Sequence, residues 1–369
     1  MSTARAPRVL LGTLAVVLCG AGAWGAIHRY PVLGPTLANG ARVAVGAGPV
    51  AVAEDVAYGL SDSVQNAVGD DTPAAYWPSP SAPAEAARAP IIPPHAAVAL
   101  AGDGEWQSIA DARAGAPRMH KTQLHPDPAR PRAVVAIVAI DLARTDLFLV
   151  PGFEEPKSDV LPWRERPARV PSEHRGALIA AFNGGFQSIH GRWGMQVAGL
   201  TLLPAHDDGC LIAKTKTGSL HIAPFPELAE TTDLAFYRQT PPCLVKGGIA
   251  HPSAVVETAA QWGTSVKGHT IIRRSGLGLD RAKTVLFYAI GDALSAGSLA
   301  ESLRLAGADV AAQLDVNWSL PRFLVYDHGD GRPPRVTESL APVKNYTADE
   351  YVEKPSDRDF FYLVAKDPV

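Results

Sequence analysis

Neither sign of charge dominates this chain of 369 residues: 34 Lys and Arg stand against 37 Asp and Glu, for a net charge of -3. Without a basic excess there is no electrostatic footprint for a nucleic-acid backbone, and no C2H2 or basic-helix pattern supplies one locally. Nucleic acid is therefore not an expected partner. The signatures of several common enzyme classes are missing too: there is no Gly-x-Ser-x-Gly elbow, no phosphate-binding loop and no setting for a nucleophilic cysteine. His120 and His125, or Asp207 and Asp208, do not form a metal-ligand set by their spacing. No metal and no cofactor is expected. Internal repeats are absent, and nothing marks a second domain after residue 95.

Cysteine is scarce, with three in the chain. Cys19 lies in the one long apolar run, Val9 to Ile27, whose 19 residues carry no charge and follow Arg5 and Arg8. That length just crosses a bilayer, and the flanking arginines favour keeping the N-terminus in the cytoplasm. Two readings stand: an uncleaved anchor, or a signal peptide with small residues near Ala23 and Gly25 for cleavage. In both, the remainder is exported, facing the extracytoplasmic side if anchored. The remaining pair, Cys210 and Cys243, then reads either as a disulfide in an oxidising compartment or as two separate buried thiols.

Residues 31–94 hold ten prolines and few large apolar side chains, a composition that cannot bury enough surface to offset ordering. One short amphipathic helix is expected there from Val52, Val56, Leu60, Val64 and Val68, and from Asp70 to Pro94 a tether. The domain organisation is thus 1–30 as anchor or signal peptide, 31–94 as a disordered linker, and 95–369 as the folded domain. Hydrophobic residues are 47% of the chain, enough for a sizeable core.

Within the domain, Ala133 to Ile140 is apolar on both faces and β-branched, the pattern of a fully buried strand. Leu147 to Val150 pairs with it as a hairpin. Short strands separated by turns follow from Gly199 to Val245, as in an antiparallel meander. Thr284 to Ile290 is a second buried strand. A helix is expected from the capping box Ser298-Leu-Ala-Glu301 to a stop at Gly307, followed by a strand from Val310 to Leu314. Strand, helix and strand suggest a βαβ crossover. The expected fold class is α+β: a single mixed-sheet domain, strand-rich with a few helices.

Two strand ends draw attention. Leu178 to Phe182 runs into Asn183-Gly184-Gly185-Phe186, where two glycines permit a sharp turn or a close approach. Far downstream, Val310 to Leu314 delivers Asp315. Between them lies Arg274-Ser275-Gly276-Leu277-Gly278. Taken in order, these three segments resemble the phosphodiester glycosidase family, over roughly residues 130–326. The family pattern has Asn-Gly-Gly-Phe, then Arg-Thr-Ala-x-Gly, then Leu-Asp-Gly-Gly followed by serine. This chain departs from it at Gln187, Ser275 and Gly276. It departs most at Val316-Asn317-Trp318, which replace glycines and would reshape a pocket.

The resemblance implies hydrolysis of a sugar 1-phosphodiester at the anomeric carbon, with a carbohydrate or sugar-phosphate polymer as partner. A carboxylate beside the ring would aid an oxocarbenium-like state. On that basis Asp315 is the candidate stabiliser, nucleophile or general base, with Asp292 and His190 as acid/base partners. Arg274 can grip phosphate oxygens. Asn183, Gly184 and Gly185 are candidates for the phosphate or sugar hydroxyls, and Trp193 and Trp318 for stacking on the sugar. The competing expectation is a non-catalytic envelope module binding a glycan or a protein, favoured by the loss of the glycines after Asp315.

Overall fold

The structure is a computed structural model that describes residues 72–78, 88–110, 116–255, 262, 271–316, 319–328, 332–343 and 346–366, with scattered positions between 37 and 64. The chain divides into Met1–Glu54 and Asp55–Val369, and every named strand belongs to the second unit. The apolar run from Val9 to Ile27 and the pair Asn317 and Trp318 lie outside the described residues. Among those described, no helix is long and apolar enough to cross a membrane.

The described strands form three sheets. The largest runs in the order β1 (Gln107–Ser108), β2 (Met119–Leu124), β3 (Val134–Asp141), β14 (Val285–Leu294), β13 (Ile272–Leu279), β15 (Val310–Gln313), β11 (Val245–Lys246) and β12 (Ile249–Ala250). A second is ordered β17 (Arg335–Ser339), β16 (Phe323–Asp327), β5 (Leu178–Asn183), β18 (Phe360–Ala365) and β4 (Thr145–Val150). The third is ordered β7 (Leu200–Leu203), β6 (Met195–Val197), β10 (Leu234–Thr240), β8 (Cys210–Thr215) and β9 (Leu220–Pro224).

The expectation of a mixed sheet needs correcting. Every pairing among these strands is antiparallel. The strand–helix–strand unit exists, but β13 lies between β14 and β15 and pairs antiparallel with both. The outer two are therefore parallel in direction without touching. Leu147 to Val150 likewise pairs with β18 rather than with β3.

β3 explains its own sequence. Ala136, Val138 and Ile140 enter the core shared by all three sheets. Val135, Ile137 and Ala139 enter the core under the helix α1 (Ala296–Ala306). A strand buried on both faces has no polar face to show. α1 is capped three residues earlier than expected, because Ser295 rather than Ser298 is the N-cap: its hydroxyl accepts the Ser298 N–H at 3.0 Å. It ends as expected at Gly307, left-handed at φ 108°. Gly276 and Gly278 let α1 and its C-terminal turn lie close on β13, since a Cβ at Gly278 would stand 2.6 Å from that of Ala308.

Two further findings concern the flanks. Cys210 and Cys243 are disulfide-bonded, closing a separation of 33 residues. Part of the stretch expected to tether the domain sits on it instead. Tyr76 donates its hydroxyl to Asp292 (3.2 Å) and its N–H to Gln123 (2.9 Å), while Lys121 lies over the Trp77 ring. Upstream, Leu60 and Val64 are helical and exposed, and Asp62 pairs with Arg130 and Arg132. Composition averaged over a proline-rich segment hides two aromatics and a carboxylate that find partners.

Candidate active site

The ends of β5 and β15, the start of β18 and the middle of β13 meet where the sheets converge. β18 runs antiparallel to β5, with Phe360 opposite Asn183, so Arg358 and Asp359 lie just beyond the Asn183 end. β16 brings Arg322 to the other side, its carbonyl accepting the Asn183 N–H at 3.2 Å. The first sheet contributes Ser275, Tyr288 and Asp315.

Asn183 is the hub of this junction. Its side-chain oxygen accepts from the Tyr288 hydroxyl (2.8 Å) and the Arg322 N–H (3.2 Å). Its amide nitrogen donates to Ser275 Oγ (2.9 Å) and to the Gly184 carbonyl (3.2 Å). Ser275 lies 3.2 Å from the Asp315 carbonyl, which its hydroxyl can reach as donor. The Asp315 N–H in turn donates to the Gly184 carbonyl at 3.1 Å. Thus the Asn-Gly-Gly segment, Ser275 and Asp315 are bonded into one unit. Both amide hydrogens of Asn183 are taken within the protein, and through Ser275 and Tyr288 the side chain joins two sheets.

Asp315 is only 5% exposed. Arg358 Nη2 donates to its Oδ2 at 2.8 Å and the Val316 N–H to its Oδ1 at 3.1 Å. Burial pushes the carboxyl from its ordinary 3.8 up to about 6, against the opposing pull of Arg358. Arg358 Nε is buried with no hydrogen-bond partner, so this guanidinium keeps an unused donor next to the carboxylate.

The two glycines are explained by a second ion pair. A Cβ at Gly184 would stand 2.0 Å from Asp359 Oδ2, and one at Gly185 would stand 2.7 Å from the Arg238 guanidinium. Arg238 and Asp359 are both fully buried, with Nε donating to Oδ2 at 2.9 Å. The Gly185 N–H donates to the same oxygen at 2.8 Å. Close approach, not a left-handed turn, requires glycine here. The approaching group is a protein carboxylate and its arginine.

The other expected site residues fall elsewhere. Arg274 is 1% exposed and faces α1. Its guanidinium donates to the carbonyls of Leu294 (3.0 Å) and Trp262 and to Gln313 Oε1 (2.9 Å). Because successive strand residues face opposite ways, β13 cannot present both Ser275 and Arg274 to the same junction. Asp292 receives Arg273 on both oxygens (2.7 and 2.8 Å) as well as Tyr76, and so anchors the 72–78 segment. His190 ends the short turn Ser188–His190 that follows Asn183-Gly-Gly-Phe. Half-buried Trp193 lies 5.6 Å from the His206 ring, and its carbonyl accepts from Arg238 (2.9 Å). Among the described residues no group of three or more His, Cys, Asp or Glu is placed to hold a metal.

Sequence reasoning missed Arg358, Asp359, Arg238 and Tyr288. The one available signal was Asp357-Arg358-Asp359 at the head of an apolar strand, the same kind of strand end that singled out Asn183.

No family model and no curated protein matches the chain. Among solved structures it resembles the catalytic domain of zebrafish N-acetylglucosamine-1-phosphodiester alpha-N-acetylglucosaminidase, auto-inhibited by its pro-peptide. That likeness has 14% identity and a TM-score of 0.44 over 71% of this chain and 88% of that one. A hypothetical protein from Synechocystis follows at 11% identity and a TM-score of 0.38, covering 67% of this chain and 62% of the other. A protein from Burkholderia pseudomallei described as exported stands at 12% identity and a TM-score of 0.35, covering 63% of this chain and 74% of the other. These TM-scores are low and carry no argument about function, which has to rest on the chain's own residues.

Proposed function

We propose that the chain is a hydrolase that cleaves a sugar 1-phosphodiester at the anomeric carbon. What carries this is the hydrogen-bonded unit of Asn183, Ser275 and Asp315, which ties together the three segments that resemble the phosphodiester glycosidase family. Asp315 is the carboxylate beside the anomeric carbon, and Arg358 the cation for the phosphate. As the C1–O bond breaks, the bonding electrons leave with the phosphomonoester, whose charge a guanidinium offsets. Water adds to C1 and its proton passes to a carboxylate held near neutrality by burial. We place the protein outside the cytoplasm, anchored or secreted, in keeping with the Cys210–Cys243 disulfide. A second reading, a glycan- or protein-binding module without activity, is favoured by one observation: Asp315 is nearly closed off and already paired with Arg358.

The test is hydrolysis by the full-length protein of glucose and N-acetylglucosamine 1-phosphodiesters, beside aryl glycosides and sugar-free phosphodiesters. Sugar release from the 1-phosphodiesters alone, lost in Asp315→Asn and reduced in Arg358→Ala, is the expected result. Release undiminished in Asp315→Asn would remove this mechanism. Silence across the panel from folded protein would favour the binding module.

A further inference from the structure

Between β4 and β5 the chain makes a long loop, 151–177, that takes no part in the Asp315 unit. It walls a half-open cavity of about 400 Å³ lined by Phe153, Glu154, Lys157, Asp159, Trp163 and Arg166, among others, within the range of about 300–1,000 Å³ usual for small-molecule sites. We propose that this cavity is a saccharide subsite in which the Trp163 ring is the platform.

Trp163 is 47% exposed, unusual for so large an apolar ring, yet it is held in place. Phe153 meets it edge-on at 4.7 Å between centroids. Arg166, buried beneath, donates to the carbonyls of Pro156 (2.7 Å), Leu161 (2.8 Å), Gly152 (3.2 Å) and Ser158 (3.4 Å). One guanidinium thus frames the loop from inside, so a ligand meets a formed surface and not one it must order. Around the ring, the Glu154 and Asp159 carboxylates and the Lys157 amine make no hydrogen bond or ion pair among the described residues. A sugar ring has an apolar C–H face and a rim of hydroxyls. It matches an indole ringed by two acceptors and a donor better than a purely apolar or purely ionic ligand does. The exposed Arg164 guanidinium lies over the indole, 4.8 Å from its centroid. Such a contact is weak enough at the surface to yield to a sugar face.

The loop that lines the cavity is also bonded to the segment that carries Arg358. Phe153 and Glu154 donate their N–H groups to the carbonyls of Ser356 (2.8 Å) and Asp357 (3.0 Å), next to Arg358. Lys157 N–H donates to Ser188 Oγ at 2.8 Å, in the segment after Asn183-Gly-Gly-Phe. The wall of the proposed subsite is thus tied through Phe153 and Glu154 to the segment that carries Arg358. If the hydrolase proposal holds, the substrate is an oligosaccharide or polymer rather than a lone sugar phosphate.

The test is calorimetric titration of the full-length protein with cellotetraose, maltotetraose and chitotetraose, none of which contains a phosphodiester. At least one should bind, with affinity falling about tenfold or more in Trp163→Ala and partly kept in Trp163→Phe. The exposed position of the ring leaves the thermal midpoint nearly unchanged, which separates lost binding from lost fold. Binding equal in wild type and Trp163→Ala, or no binding of any tetraose, would overturn the proposal. Hydrolysis without tetraose binding removes this subsite and keeps Asp315 in its role. Tetraose binding without hydrolysis does the reverse.

Discussion

Replacing Asp315 by asparagine should change the pH dependence of stability more than stability itself. The carboxyl rises from 3.8 to about 6 on folding because it is buried, with Arg358 offsetting only part of that cost. Roughly two pH units at about 1.4 kcal/mol each amount to about 3 kcal/mol. The folded chain keeps a proton that the unfolded chain has released between pH about 4 and 6. This contribution is therefore fully present below the unfolded value and is lost as pH rises through about 6. Asparagine does not titrate there. The pH-independent consequences of the substitution, an unpaired Arg358 among them, cancel when the wild-type minus variant difference is compared across pH. Urea unfolding of both proteins at about pH 4, 5, 6 and 7 should show wild type losing roughly 2 kcal/mol relative to Asp315→Asn across the series, the rest of the shift lying below pH 4. A flat difference would mean that Arg358 balances burial, and a wild type that gains on the variant as pH rises would mean that Arg358 outweighs it. The same titration constrains catalysis: an Asp315 that acts ionised gives a rate rising with pH to a plateau above about 6.

Gly184→Ala should cost at least about 2 kcal/mol, because its Cβ meets the Asp359 carboxylate. Gly176→Ala, with open space around its Cβ, should be neutral in the same denaturation experiment. Asp359→Asn strands the buried Arg238 charge and should destabilise by about 3–5 kcal/mol, with part of the loss recovered when Arg238→Met is added.

What can be read from the sequence divides along physical lines. Strands buried on both faces, such as β3, and a glycine-stopped helix carry their signals locally, and these are legible. The helix start is misplaced because Ser-x-x-Glu fits a cap, whereas Ser295, three residues earlier, has the geometry of one. Antiparallel insertion of β13 between β14 and β15 leaves no local trace. At the site, Asp315 and the Asn-Gly-Gly segment stand out as strand ends, but their partners come from elsewhere in the chain. Arg274 looks like the anion binder on residue type alone. The alternation along β13 contains the correction, since Gly276 and Gly278 share its face and pack under α1 and its C-terminal turn. Arg358, in a charged run before an apolar strand, reads as ordinary loop until β18 is paired with β5.

The bonds at the junction close a ring. Asp315 N–H reaches the Gly184 carbonyl, Gly184 N–H reaches the Asp359 carbonyl at 2.9 Å, and Arg358, next along the chain, returns to the Asp315 carboxylate. The carboxylate and its guanidinium are therefore positioned by the same short stretch of backbone, and Asp359 with Arg238 fixes that stretch from beneath. Asn-Gly-Gly in this protein supports the candidate site through these bonds. It follows that substitutions at Gly184 or Asp359 act on fold and site together. Arg358→Ala, at a side chain still partly open to solvent, removes the charge proposed to bind the phosphate and leaves the ring's backbone bonds in place. That variant separates a chemical role at this junction from a structural one.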